Sequence, residues 1–175
     1  MDEPVEITDY NPHYEGRYRA ERDRVRLGLA TASLKFEHIG STAVAGLAGR
    51  PIVDLMLGAS PTVWAALEEL RPRVVALGYE DLGEAGIPGR IYFRKRTALR
   101  AFNLALVEEG GAIWRDNLAL RDYLRSHPED AAAYAAAKRA AVAGGATTLL
   151  AYSAAKAGVL ERIVREARGS ERIGS

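Results

Sequence analysis

The stretch EHIGSTAVAGLAGRPIVDLML, residues 37–57, decides the expected fold and the candidate site of this 175-residue chain. A strand ends at Gly40-Ser41, a run of small residues follows, and the nearly all-apolar segment PIVDLML forms a second strand. Such a strand is usually covered on both faces of its sheet. One acidic side chain, Asp54, stands inside the apolar segment, and an unpaired buried carboxylate is costly. The stretch therefore predicts two strands, a tight turn between them, and a polar group that needs an explanation.

The segments before and after this stretch predict an α+β fold. A first helix is expected upstream because residues recur there at helical spacing, namely Tyr14, Tyr18, Glu21, Val25 and Leu29. Downstream, Ser60 and Pro61 suit the N-cap and first position of a helix, and we expect Pro72 to kink or end that helix. The segments RIYFRKR and RAFNLALV then predict a β-hairpin, and the alanine-rich last third predicts packed helices.

Composition and charge narrow the classes of function. The chain is 48% hydrophobic and 27% charged, which is ordinary for a soluble globular protein. Its formal net charge of +1 gives no overall electrostatic signature of a nucleic-acid or membrane partner. The absence of cysteine excludes disulfides and thiolate chemistry. No apolar run is long enough to span a membrane, and the acidic start is unlike a signal sequence, so we expect a cytoplasmic protein.

The Gly-Ser turn and the lone acid together suggest an anion site. A glycine after a strand lets backbone N–H groups approach an anion, and the Ser41 and Thr42 hydroxyls add donors. Asp54 on the adjacent strand would then hold Mg²⁺ against the same phosphate, because hard cations prefer oxygen ligands. The alternative is structural: Ser41 or Thr42 caps a short helix, and Asp54 is a buried hydrogen-bond acceptor.

The segment HIGSTAVAGLAGRPIVDL resembles the signature of the GrpB family, a group within the nucleotidyltransferase superfamily. The segments ITDYNPHY, GIPGRIYFRK and YSAAKAGVLERI are similar to other parts of that family, so the resemblance covers most of the chain. It implies a small mixed sheet of nucleotidyltransferase-like type, an N-terminal helix and three packed C-terminal helices. We accordingly expect one domain over residues 1–168 and a frayed tail over residues 169–175.

The resemblance also implies chemistry, from which this sequence departs at two places. The superfamily pattern is Gly-Ser, a spacer, two acids separated by one residue, and a third acid on a later strand. Gly40, Ser41 and Asp54 match this pattern, but Met56 stands at the second acid. Asn103 and Ala105 replace two histidines that GrpB-like chains tend to carry, and Asn103 is no base at pH 7. One carboxylate is a poor site for two-metal chemistry.

Further charged residues are candidates for the same site. His38 precedes the turn and is placed beside the pocket by the motif, although a lone strand histidine is more often structural. Arg50 and Arg94 would suit phosphate, or they lie on solvated surfaces. Lys156 emerges from a core-facing helical stripe, and its partner would be Asp54 or a bound phosphate; the alternative is that it extends to solvent.

Three hypotheses of function follow from these residues. The first is a nucleotidyltransferase-like enzyme that binds a nucleotide or another phosphate-bearing small molecule at the turn. In that hypothesis Asp54, His38 and Asn103 are catalytic, Asp54 is the Mg²⁺ ligand, and Gly40, Ser41, Thr42, Arg50, Arg94 and Lys156 bind substrate. The second is a catalytically degenerate GrpB-like binding protein, and the third is an enzyme for a non-nucleotide metabolite. Alanine-rich helices would permit a homodimer without requiring one.

Overall fold

The computed structural model describes residues 5–30, 33–146 and 148–171. Its strands are β1 (Leu34–Ile39), β2 (Val53–Ala59), β3 (Glu80–Asp81), β4 (Arg90–Arg96) and β5 (Ala101–Glu108). Its helices are α1 (Tyr14–Leu29), α2 (Pro61–Ala65), α3 (Leu67–Ala76), α4 (Ala112–Ser126), α5 (Pro128–Ala143) and α6 (Leu149–Glu171), with a 3-10 turn at Ser41–Ala43. The α+β prediction, with an N-terminal helix and three C-terminal helices, is confirmed.

The strands form one mixed sheet in the order β1-β2-β5-β4-β3. β2 and β5 are parallel neighbours, and the other three pairs are antiparallel. The β4–β5 pair is the predicted hairpin, closed by a hydrogen bond from the Thr97 N–H to the Arg100 carbonyl. β2 is nearly all apolar because it is an interior strand. β1 and β5 flank it, and helices cover both faces of the sheet.

The two faces of the sheet carry different environments. On one face α1, α2 and α3 enclose the main core, in which Val25, Leu57 and Phe93 are fully buried. On the other face α4 packs through Trp114 against Met56. Because side chains alternate along a strand, Asp54 lies on the same face as Met56 and opposite to Leu55. The register that pairs Asp54 with Asn103 places both polar side chains on the α4 face.

A second apolar cluster fixes the C-terminal helices over the loop that follows β1. Val44 and Leu47 of this loop pack against Tyr123 of α4 and Ile163 of α6. The three helices thereby close over one end of the sheet, beside the Gly40-Ser41 turn. This packing creates the space in which the candidate site lies.

The structure differs from expectation around Pro72. Ser60 caps α2 by accepting a hydrogen bond from the Val63 N–H at 3.4 Å, as predicted, but the helical segment breaks at Ala66. Pro72 then lies inside α3, which continues to Ala76. The helix therefore does not end at Pro72, which was one of the two alternatives expected there. Burial of Leu70 and Val74 on either side offsets the backbone hydrogen bond that proline cannot donate.

Two further expectations concern the termini and the membrane. α6 extends to Glu171, whereas residues 172–175 of the tail that we expected to fray lie outside the described residues. Among the described helices, none combines the length and the apolar character that crossing a bilayer would need.

Candidate functional site

A cavity of about 150 Å³ lies between the Gly40-Ser41 turn, the start of β2 and the three C-terminal helices. The turn contributes its backbone, and the helices contribute a mixed apolar and polar wall. The lining residues are Gly40, Ser41, Arg50, Ile52, Asp54, Asn117, Leu120, Arg121, Leu124, Tyr134 and Tyr152. Four residues singled out from the sequence, Gly40, Ser41, Arg50 and Asp54, therefore share one cavity.

Asp54 is held from the neighbouring strand. Its Oδ1 accepts a hydrogen bond from Nδ2 of Asn103 at 2.7 Å, across the parallel β2–β5 pair. Oδ1 of Asn103 in turn accepts from Nη2 of Arg96 at 3.0 Å. Because arginine can only donate, this contact fixes the orientation of the Asn103 amide and directs its N–H group at the carboxylate. Asn103 is 3% exposed and does not line the cavity, but it contacts the Asp54 carboxylate, which does.

Gly40 brings the backbone of the turn directly against this carboxylate. Its φ of +73° and ψ of −172° belong to a region that glycine adopts far more readily than other residues. A Cβ at this position would lie 2.5 Å from Oδ2 of Asp54, well inside van der Waals contact. The glycine is therefore required both by the bend and by the acid, and the two halves of the sequence motif are in contact.

Ser41 is held by a residue that sequence analysis did not identify. Nζ of Lys138, on α5, lies 2.7 Å from Ser41 Oγ and 2.5 Å from the Ala48 carbonyl oxygen. Lys138 is 1% exposed, and its ammonium also lies 4.4 Å from the ring centroid of Tyr134. The signal available in the sequence was spacing: Tyr134, Lys138 and Ala141 follow one another by four and three residues, which puts the lysine on the buried face of its helix.

Arg50 and Arg121 both line the cavity but differ in their partners. Arg121 donates to Glu37 at 2.6 Å and to Asp122 at 2.8 Å. The half-buried Arg50 side chain makes no hydrogen bond or ion pair with any residue in the described part of the chain. Its guanidinium is thus the charged group of the lining that is available to a ligand.

Two tyrosines complete the wall, and both are neutral at physiological pH. Burial raises the pKa of Tyr152 to about 12, opposed by the nearby Arg50 charge. Burial likewise raises the pKa of Tyr134 well above its ordinary value, and the neighbouring Tyr152 adds to the shift. Together with Ile52 and Leu120 they make the cavity partly apolar. A charged ligand group placed there would interact strongly with Arg50 and Asp54 because little water screens it.

His38 and Thr42 lie outside the cavity lining. His38 pairs in register with Leu55, so it lies on the sheet face opposite to Asp54. Its ring nitrogens contact Glu15 Oε2 at 3.2 Å and Thr42 Oγ1 at 2.9 Å, and it stacks on Tyr18. Burial lowers the pKa of His38, although Glu15 opposes this shift. The placement favours the structural alternative for both residues over contact with a ligand in the cavity.

Arg94 and Lys156 are the remaining candidates. Arg94 donates to Glu80 Oε2 through Nη2 at 2.6 Å and Nε at 3.0 Å, and it does not line the cavity. Lys156 lies within α6, but its side chain is outside the described part of the structure. The expectation of a phosphate contact from Lys156 therefore stays a prediction.

The donor set of the cavity does not fit a two-metal magnesium site. Asp54 is the carboxylate of the lining; Met56 is fully buried at the position of the second acid, and Ala105 pairs with it on β5. Within the described residues, no group of three or more His, Asp or Glu side chains could hold a metal ion. Asp54 also has its two oxygens against Asn103 and Gly40. Hard divalent cations need several oxygen ligands, which the described lining does not supply. A positively charged side chain is therefore better suited than a bound Mg²⁺ ion to contact an anion in this cavity.

Comparison with known proteins identifies relatives along nearly the whole chain. The family model described as GrpB protein matches residues 4–166. The UPF0157 protein YqkA of Bacillus subtilis is 33% identical over 135 residues, which cover 77% of this chain and 39% of that protein. The matched part is thus well under half of YqkA.

One of the matched solved structures shows the same fold. The conserved protein GrpB from Enterococcus faecalis superposes with a TM-score of 0.84 and 25% identity, over 95% of this chain and 99% of that one. The Cid1 poly(U) polymerase gives a TM-score of 0.48 and 17% identity, over 68% of this chain and 38% of that one, and this similarity is too low to support a conclusion about fold or function. By its matched family model and by its fold, the chain belongs to the GrpB protein family.

Proposed function

We propose that the cavity binds a small phosphate-bearing molecule, with Arg50 and the Gly40-Ser41 turn as its anion site. The observation that carries the proposal is the guanidinium of Arg50, which lines the cavity without a partner among the described residues. Guanidinium forms paired hydrogen bonds with phosphate oxygens, and these are stronger than neutral ones. The backbone N–H groups of the Gly40-Ser41 turn and the Ser41 hydroxyl, which line the same cavity, add donors.

Asp54 would act on the other end of the ligand. A carboxylate only accepts hydrogen bonds when ionised, so it would bind a hydroxyl or amino group of the ligand or of an acceptor molecule. As a general base it would take the proton of an acceptor hydroxyl that attacks the α-phosphorus of a bound nucleoside triphosphate, while the bond from that phosphorus to the β-phosphate oxygen breaks and pyrophosphate leaves. On this proposal the chain would act as a transferase in the manner of nucleotidyltransferases, with a nucleotide as the first ligand to test and with no step that depends on Mg²⁺.

A binding protein without turnover is the second candidate. It is favoured by one specific observation: both oxygens of Asp54 already have neighbours, Asn103 and Gly40, in a cavity with no second carboxylate among its described lining residues. Release of pyrophosphate from nucleoside triphosphates would support the transferase. Saturable binding without release would support the binding protein.

Thermal unfolding tests the shared part of both candidates. Inorganic phosphate, nucleoside mono- and triphosphates are titrated in EDTA and again with Mg²⁺. A ligand at 100 times its Kd should stabilise the folded state by about 2.7 kcal/mol, or roughly 5–10 °C for a chain of this size. We expect Arg50→Met to abolish the shift. The matched control Arg100→Met removes an exposed arginine outside the cavity lining and should retain it. Absence of any saturable shift, or an equal shift in Arg50→Met, would refute the proposal.

A further inference from the structure

Lys138 stands directly behind the anion side of the cavity. Its ammonium is fully buried and reaches Ser41 Oγ and the Ala48 carbonyl, while Ser41 itself lines the cavity. The surroundings are closely packed, since a Cβ added to Gly49 would lie 2.5 Å from Ser41 Cβ and 3.3 Å from Lys138 Nζ. The lysine thus reaches the cavity through Ser41 and is not itself part of the lining.

The chemistry of an ammonium decides the direction of the Ser41 hydroxyl. A protonated lysine has three donors and no acceptor, so Ser41 Oγ must accept the 2.7 Å hydrogen bond. The hydroxyl hydrogen of Ser41 is then directed away from Lys138 and is available to an acceptor in the cavity. The ammonium also places a positive charge within a few ångströms of the turn, where burial keeps solvent screening low.

We propose that Lys138 is a positioning residue that makes Ser41 an obligate hydrogen-bond donor and supplies a buried positive charge beside the turn. The inference rests on the proposed function, because it names the group that acts on the anion from behind the turn. Lys138 touches neither ligand nor reacting atoms, and Ser41 transmits its effect. A phosphate-bearing ligand in the cavity would therefore meet both Arg50 and the Ser41 hydroxyl that Lys138 orients.

A thiol placed at position 41 measures this effect without any ligand. The natural chain has no cysteine, so Ser41→Cys gives a protein with a single thiol. A nearby ammonium stabilises thiolate, and the ordinary pKa of a cysteine thiol is about 8.5. The rate of alkylation by iodoacetamide, followed against pH, should give a thiol pKa at least about one unit lower than in the same protein carrying Lys138→Met. At pH 7 this corresponds to a roughly tenfold difference in the thiolate fraction.

Three controls isolate Lys138 as the cause. Arg50→Met, added to each thiol variant, removes the other cation of the cavity, and the difference due to Lys138 should persist. Lys95→Met removes a lysine that is also largely buried but pairs with Glu21 at 2.7 Å, outside the cavity lining, and should leave the thiol pKa unchanged. If Lys138→Met does not fold, the comparison is made with Ala45→Cys, an exposed position of the same loop. An equal pKa at positions 41 and 45, or in the presence and absence of Lys138, would overturn the inference.

Phosphate binding then separates this inference from the proposed function. If Lys138 acts through Ser41, Ser41→Ala and Lys138→Met should each weaken the affinity for inorganic phosphate about tenfold, and the double variant should lose little more. Additive losses would refute the coupling while leaving the anion site intact. If wild-type protein binds no phosphate, the proposed function fails, whereas the thiol titration still decides whether Lys138 acts on position 41.

Discussion

Replacement of Gly40 by alanine tests the contact between the turn and the acid. An alanine at φ +73° costs about 1–3 kcal/mol in backbone strain. Its Cβ would also lie 2.5 Å from Asp54 Oδ2, and an ordinary contact needs 3.4 Å, so the carboxylate must move. Moving it weakens the charged hydrogen bond to Asn103, which is worth about 1.5–3 kcal/mol. We expect Gly40→Ala to lower the free energy of unfolding by about 3–5 kcal/mol.

Gly46 offers a matched control in the same loop. Its φ is +80°, but a Cβ there would meet nothing within 4 Å. Gly46→Ala therefore carries the strain without the clash, and the entropy that alanine removes from the unfolded chain offsets part of that strain. Urea denaturation of both variants should show a loss for Gly46→Ala of about 1 kcal/mol, which is about 2–4 kcal/mol smaller than the loss for Gly40→Ala.

A double-mutant cycle with Asp54→Ala attributes the difference to the carboxylate. In that background the clashing oxygen is absent, so Gly40→Ala should cost about as little as Gly46→Ala, with a coupling of about 2–4 kcal/mol. Equal losses for the two glycines, or a cost of Gly40→Ala that is independent of Asp54, would refute the proposed contact. The ligand panel applied to Gly40→Ala should also show weaker binding, because the displaced carboxylate and turn both line the cavity.

Three other predictions concern His38, Tyr79 and Asn103. Burial lowers the pKa of His38 in the folded state, so the unfolded chain binds the proton more readily. The contribution of neutral His38 to the free energy of unfolding is therefore complete above about pH 6.5, the ordinary pKa of histidine, and is lost as the pH falls below that value. His38→Gln should therefore lose less stability than wild type between about pH 7 and pH 5.5 in urea denaturation, and an identical loss would contradict this assignment. Tyr79→Phe removes the 3.0 Å hydrogen bond to the buried Glu21 and should cost about 1–2 kcal/mol, whereas a neutral effect would show that the bond contributes nothing. Asn103→Asp would place a second carboxylate beside Asp54. Thermal unfolding should then show that Mg²⁺ stabilises this variant but not the wild type. Stabilisation of both proteins by Mg²⁺ would contradict the conclusion that the natural cavity lacks the oxygen ligands for a magnesium site.

The sequence by itself predicted four of the five described strands, all but the two-residue β3, and it linked the two residues that lie in contact at the site. The bounds of β1 and β4 follow from their alternating and apolar patterns, because those patterns are local. Gly40 and Asp54 were predicted to belong to one site, because a glycine bend and a buried acid are each unusual in an apolar strand pair. The resemblance to the GrpB family supplied the order of the elements, and the fold agrees with it.

Tertiary structure alone decided which charges meet. Lys138 sits in an alanine-rich helix, and only the packing of α5 against the 41–49 loop brings its ammonium to Ser41, 97 residues away. His38 lies near the turn in sequence, yet the alternation of side chains along β1 directs it to the opposite face. Arg50 and Arg94 are the same residue type, and the sequence offered both as phosphate ligands. They differ in their neighbours, because Glu80 on the adjacent β3 strand pairs with Arg94. Such pairings depend on contacts between distant segments, for which local pattern and propensity carry no signal.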